Sequence, residues 1–177
     1  MKHYFLLTNL FFLIYSYSQE TPKNANLKRN LTYTRVELSI PLSVNKYYGE
    51  ENETFFLPDG VIGRVGVGIK ANNWIRIGAN FGVDWKASEC VVIAPLYGSI
   101  EINPIVFEDF RFFIEPGYGI NMIFEESGFN NEFKKISFGI ENDKGDIGIF
   151  IELCEYGFRK NYDNIVGNVS VGLKASF

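Results

Sequence analysis

The chain has 177 residues, 46% of them hydrophobic, 16% aromatic and 21% charged, which is too apolar for a disordered chain and sized for one domain with a real core. Phe (17) and Tyr (10) far outnumber Ala, found only at 25, 71, 79, 87, 94 and 175, so residues suited to a pleated surface predominate and an all-α bundle is disfavoured. A formal charge of -4 excludes the broad basic footprint of a general nucleic-acid binder.

Residues 1–18 read as a secretory signal. Lys2 supplies the positive start, Tyr4 to Tyr17 is mostly apolar, and Ser16 and Ser18 place small residues before Gln19. The apolar stretch is broken by Thr8 and Asn9 and falls short of the roughly 20 residues a spanning helix needs. Cleavage would remove His3, the only histidine, and leave sixteen basic against twenty-one acidic side chains, a net of -5. Residues 19–30 form a short lead, and 31–177 form the domain.

Eight alternating runs follow, each with the period-2 pattern of a strand. The first, 31 to 44, sets Val36, Leu38, Ile40, Leu42 and Val44 against Arg35, Glu37, Ser39 and Ser43. From Val61 to Ala71, the odd positions Val61, Val65, Val67, Ile69 and Ala71 oppose Arg64, Gly66, Gly68 and Lys70. After a tight Asn72-Asn73 turn, Ile75, Ile77, Ala79, Phe81, Val83 and Trp85 oppose Arg76, Gly78, Asn80, Gly82 and Asp84. The fourth run, 91 to 103, puts Val92, Ala94, Leu96, Ile100 and Ile102 against Tyr97, Ser99, Glu101 and Asn103. The fifth, 110 to 123, has Phe110, Phe112, Ile114, Tyr118, Ile120 and Met122 against Arg111, Glu115, Gly117, Gly119 and Asn121. In 133 to 141, Ile136, Phe138 and Ile140 face Lys135, Ser137, Gly139 and Glu141. The seventh sets Ile147, Ile149, Ile151 and Leu153 against Gly148, Glu152 and Cys154. The last, 165 to 177, sets Val169, Val171, Leu173, Ala175 and Phe177 against Asn168, Ser170, Gly172, Lys174 and Ser176.

Connections after even runs (72–73, 104–109, 142–145) are shorter than most after odd runs (45–60, 124–132, 155–164), the exception being 86–90. Even strand number with long and short connections on opposite ends predicts an all-β fold, an eight-stranded antiparallel up-and-down barrel.

Alternation alone does not say which face is inside, since a soluble lipocalin-like barrel buries its apolar face around a ligand. Three features favour an inverted barrel. The polar face carries seven basic residues (Arg35, Arg64, Lys70, Arg76, Arg111, Lys135, Lys174) and six acidic ones (Glu37, Asp84, Glu101, Glu115, Glu141, Glu152), the near-balance that a plugged interior requires. Glycines on that face leave room for large side chains from across a narrow lumen. Trp85, Phe110, Phe112 and Phe177 lie on the apolar face near run ends, where bilayer interfaces carry aromatic girdles.

With its leading segment, eight runs and the alternating close Val169, Val171, Leu173, Phe177, the sequence resembles the small eight-stranded outer-membrane β-barrel family of Gram-negative envelopes. That resemblance implies a transmembrane barrel contacting outer-membrane lipid. It implies that Val169, Val171, Leu173 and Phe177 serve as a membrane-insertion signal for the barrel-insertion machinery. A closed barrel has no edge strand to host Pro41, Pro95 and Pro116, so bulges or frayed mouths are expected there.

Without an imidazole in the exported chain, histidine-dependent catalysis and metal ligation are disfavoured, and the expectation is a non-enzymatic protein with no cofactor or metal. Gly66-x-Gly68-x-x-Ala71 runs straight into a turn and not a helix, so it is no dinucleotide fingerprint. Cys90 and Cys154 fall on non-neighbouring strands and are expected as unpaired thiols. The Asn-x-Ser/Thr triplets at Asn30, Asn52 and Asn168 read as chance. Tyr47, Tyr48, Phe55 and Phe56 beside Glu50, Glu51 and Glu53, Phe129 among Glu125, Glu126 and Glu132, and Tyr156, Phe158 and Tyr162 among Arg159, Lys160 and Asp163 suit contact with an extracellular protein or glycan. The leading expectation is a structural or surface-interaction barrel with a salt-bridged lumen. A secreted soluble barrel binding an apolar ligand and a narrow small-solute channel are the alternatives.

Overall fold

The computed structural model describes residues 31–44, 55–123, 131–160 and 164–177. The signal segment, the lead and most of the loop aromatics and acids singled out above lie outside them. Among the described residues nine strands form: β1 (Thr32–Val44), β2 (Phe56–Pro58), β3 (Gly60–Lys70), β4 (Ile75–Lys86), β5 (Val91–Val106), β6 (Phe110–Ile123), β7 (Asn131–Asn142), β8 (Ile147–Lys160) and β9 (Asn164–Ser176). Each long strand pairs antiparallel with its sequence neighbour, and β1 pairs with β9 from Arg35↔Ser176 to Leu42↔Val169. That pairing closes an eight-stranded barrel and leaves no long edge exposed.

The connections differ from the sequence reading in three places. The 45–60 connection contains the three-residue β2, which pairs with Leu42–Val44 and continues the β3 column upward. Ser39 pairs with Ile62 but Leu42 with Pro58, so one extra residue is absorbed at Asp59 and Gly60. Gly60 sits there at φ +129°, and a Cβ on it would run into the Trp85 carbonyl, which only glycine avoids. The expected 104–109 turn shrinks to 107–109, because β5 and β6 both extend into it. The 155–164 loop is largely strand. Beyond an irregularity between Glu155 and Arg159, Lys160 still pairs with Asn164.

The prolines also behave differently from expectation. Pro95 and Pro116 keep register with Asn121 and Ile136, each standing at a gap in the ladder to the strand on its other side. The β5–β6 slip falls instead at Asn103-Pro104, where Ile102 pairs with Ile114 but Ile105 with Phe112. Pro41 marks the β2/β3 offset, its carbonyl accepting from Asp59 N–H at 2.8 Å. The Asn72-Asn73 turn forms as expected, with Asn72 Oδ1 accepting from Trp74 and Ile75 N–H, both at 2.7 Å.

The barrel is inverted. Leu38, Val67, Ile149 and Leu173 are 50–60% exposed on the outside, while Arg35, Asp84, Glu101 and Glu152 are at 1% or less on the inside. A soluble lipocalin-like barrel requires the opposite phase, so that alternative is overturned. One assignment moves: Ala94, expected on the outer face, is fully buried in the wall.

Candidate functional site

The lumen holds the charged residues that the alternation placed on the polar face, linked from one end to the other. At the turn end, Arg76 and Lys174 each contact both Glu101 and Glu141 at 2.7–2.8 Å, closing a four-membered ring of alternating charge. Arg35 joins this ring to the middle layer through Glu101 at 2.9 Å, and meets Glu37 at 3.1 Å and Glu115 at 2.6 Å. Lys135 continues upward to Glu37, Glu115 and Glu152, at 3.3, 3.5 and 3.0 Å. Arg64 links Glu152 to Asp84, both at 2.7 Å, and Asp84 accepts from Tyr156 Oη at 2.8 Å.

Every described carboxylate in this chain has at least one cation, as a low-dielectric interior demands. Neutral groups complete the network: Asn103 donates to Glu141 and Ser137 to Glu152, while Asn80 Oδ1 and Ser99 Oγ accept from the Arg35 guanidinium. Lys70 and Arg111 also point inward near the turn end, but are only half-buried and make none of the ion pairs among the described residues. They stand outside the chain.

Glycine and aromatic residues interlock on the inner wall. A Cβ on Gly68 or Gly78 would strike the Tyr33 ring, one on Gly139 would strike Phe113, and one on Gly172 would strike Phe150. The Phe113 ring in turn receives Lys174 Nζ at 3.3 Å from its centroid, a cation–π contact within the ion-pair ring. Toward the outer end the charged layers give way to an apolar cluster of Val91, Ile93, Tyr97, Phe133, Cys154 and Tyr156, whose rings pack at 4.9–5.7 Å. At the turn end, the β7–β8 turn folds beneath Arg76. Gly145 is buried there at φ +74°, and a Cβ on it would collide with the Arg76 guanidinium.

The alternating faces read from the sequence omit Phe113, Phe133 and Phe150, and Tyr156, expected in an exposed loop, is instead fully buried in the lumen because β8 extends past it. Phe113 lies in step with Arg111 and Glu115, and Phe150 with Gly148 and Glu152, which is the signal that would have placed them inside. Both cysteines are free, with Cys90 exposed and Cys154 buried beside Glu152, to which its thiol donates at 3.1 Å.

Outside the lumen, Trp85 lies exposed near the outer rim and Phe107, Phe110 and Phe112 cluster at the turn end, with centroids 4.7–6.2 Å apart. An apolar band edged by aromatic residues is a surface suited to lipid.

No family model matches the sequence, and no curated protein matches it. Solved structures do match. Neisserial surface protein A is 12% identical, with 82% of this chain and 97% of that one covered at a TM-score of 0.54. A de novo designed transmembrane β-barrel is 11% identical, with 82% and 94% covered at 0.44. The attachment invasion locus protein Ail of Yersinia pestis is 11% identical, with 82% and 97% covered at 0.40. At such identities the likeness to the Neisserial protein speaks for the fold alone. With closure, strand number and an outward apolar band on the page, the fold is that of an eight-stranded transmembrane β-barrel.

Proposed function

We propose that this protein is a non-enzymatic barrel of a Gram-negative outer membrane, exported by residues 1–18, with a structural or surface-interaction role and a lumen that passes no solute. The observation that carries the reading is the continuous chain of ion pairs from Glu141 to Asp84 inside a wall whose outer face is apolar. Such an interior stabilises one closed packing. Among the described residues, the carboxylates of that chain are engaged by Arg35, Arg64, Arg76, Lys135 and Lys174, which supports a structural role for them. The residues Val169, Val171, Leu173 and Phe177 serve in insertion by the barrel-assembly machinery, and the loops at the outer end contact an extracellular protein or glycan.

Fractionation tests this directly. The protein is expected in the outer-membrane fraction, running faster on a gel unboiled than boiled. Recovery as a soluble periplasmic species with unaltered mobility sinks the proposal. In planar bilayers the purified barrel is expected to show no unitary conductance, because charged layers, the outer ring cluster and the turn beneath Arg76 all obstruct the axis. A steady conductance altered by substituting Arg64 or Glu115 would favour the narrow-channel alternative.

A further inference from the structure

The outward apolar band is not of one height around the barrel. An antiparallel strand tilted by about 40° climbs about 2.5 Å along the barrel axis per residue, so the run of uncharged outward positions on a strand gives the height of its wall. On β4 that run goes from Ile75 to Trp85, about 25 Å, and on β6 from Phe110 to Ile120, also about 25 Å, the height expected of a lipid-facing band. On β7 it covers only Ile136, Phe138 and Ile140, about 10 Å, and on β8 only Ile147 to Leu153, about 15 Å. The two short walls are neighbours, and β8 stands opposite β4 in the ring.

Charge ends the short walls at their outer side. Lys134 and Glu132 lie beyond Ile136 on the outward face of β7, and Glu155 lies beyond Leu153 on β8. Lys134 Nζ stands 2.8 Å from Glu132 and 3.7 Å from Glu155, all three side chains are about half exposed, and Tyr118 Oη donates to Glu132 at 3.2 Å. On the neighbouring β6 the wall is still apolar at Ile120, the cross-strand partner of Glu132. At the turn end Asn142 closes the β7 run and Asp146 precedes Ile147. Between the polar positions Lys134 and Asn142 the wall is therefore about 20 Å high. A charge facing lipid costs most at the midplane and little at the interface, so these residues draw the two interfaces together at β7 and β8.

We propose that the β7–β8 face is a docking surface for short-chain lipid, against which the bilayer narrows while it keeps its full height against β4 and β6. The inference rests on the reading of the chain as a membrane barrel. A hydrocarbon layer taller than its wall must thin or exchange long chains for short ones, and the cost of each Å of mismatch selects the lipid. Lipid is the occupant because the exposed side chains between the polar rims, Phe138 and Ile149 among them, are apolar, and because the exposed ion pairs above them match hydrated headgroups.

The test uses the full-length barrel refolded in vesicles of dilauroyl phosphatidylcholine mixed in equal amounts with dioleoyl phosphatidylcholine brominated on its chains. Trp74 and Trp85 are replaced by Phe, and one reporter is added, Phe138→Trp on β7 or Phe81→Trp on β4, both at exposed positions within the wall. Quenching relative to vesicles of the brominated lipid alone reads how much long-chain lipid touches each wall. Phe138→Trp is expected to report an enrichment of the dilauroyl lipid of about threefold or more, and Phe81→Trp none. Replacing Glu132, Lys134 and Glu155 together by Leu lengthens the short wall and should bring the two reporters to parity. The comparison of the two reporters decides the matter even where that variant does not refold. Equal lipid preference at both reporters overturns the proposal, as does an enrichment that survives the triple replacement. So does a Phe138→Trp reporter that brominated lipid alone fails to quench while Phe81→Trp is quenched, since a second copy then covers the face. Two unquenched reporters without heat-shifted gel mobility overturn the membrane-barrel reading itself.

Discussion

Arg35 on β1 grips Glu115 on β6 across the lumen with a two-pronged contact, Nη1 to Oε2 at 2.6 Å and Nη2 to Oε1 at 2.7 Å. The pair is 80 residues apart in sequence and 1% exposed on each side, and the same guanidinium also meets Glu37 and Glu101. Arg35 is therefore the joint between the turn-end ring and the middle of the barrel.

Removing that joint leaves three carboxylates short of a cation. Arg35→Met is expected to lower stability by about 3–5 kcal/mol, the usual cost of stranding a buried charge. Combining it with Glu115→Gln should cost less than the sum of the two single changes, since neutralising Glu115 relieves part of the imbalance. Urea unfolding in lipid vesicles, read by the shift in gel mobility, measures the cycle, and strict additivity would show that the pair is not coupled.

Gly145 tests the closure at the turn end. Gly145→Ala must hold a side chain at positive φ and push the Arg76 guanidinium off Glu141, so a loss of about 1–3 kcal/mol is expected. In Arg76→Ala the collision is gone, and the same glycine change should cost only the backbone part. An equal penalty in both backgrounds would mean that the turn does not press on Arg76.

The two thiols report on orientation. Cys90 is exposed in the turn at the outer end and Cys154 is buried in the lumen. A membrane-impermeant maleimide applied to intact cells should label Cys90 and spare Cys154 until the barrel is denatured. Labelling of Cys90 only after lysis would invert the assigned topology.

Phe177 is 79% exposed, and its backbone exchanges hydrogen bonds with Thr34, N to O at 2.8 Å and O from N at 3.0 Å. Deleting it removes both bonds at the seam where the barrel closes, together with the proposed insertion signal. The heat-shifted fraction in cells should fall several-fold, while a protein refolded in detergent should lose far less, because the seam retains the pairs from Arg35↔Ser176 to Leu42↔Val169. Equal losses in both settings would assign Phe177 to closure alone.

The sequence by itself determined the strands and their phase. Period-2 alternation is local, so runs such as Ile75 to Trp85 carry both the strand and its two faces, and the charge balance on one face implied an inverted barrel before any contact was known. Only the tertiary structure decided which charges meet. Arg35 with Glu115, Arg64 with Glu152 and Lys174 with Glu101 are 73 to 88 residues apart, and the choice depends on barrel closure and strand tilt, which no local pattern encodes. The same holds for the register slip at Pro104 in place of Pro95 and Pro116.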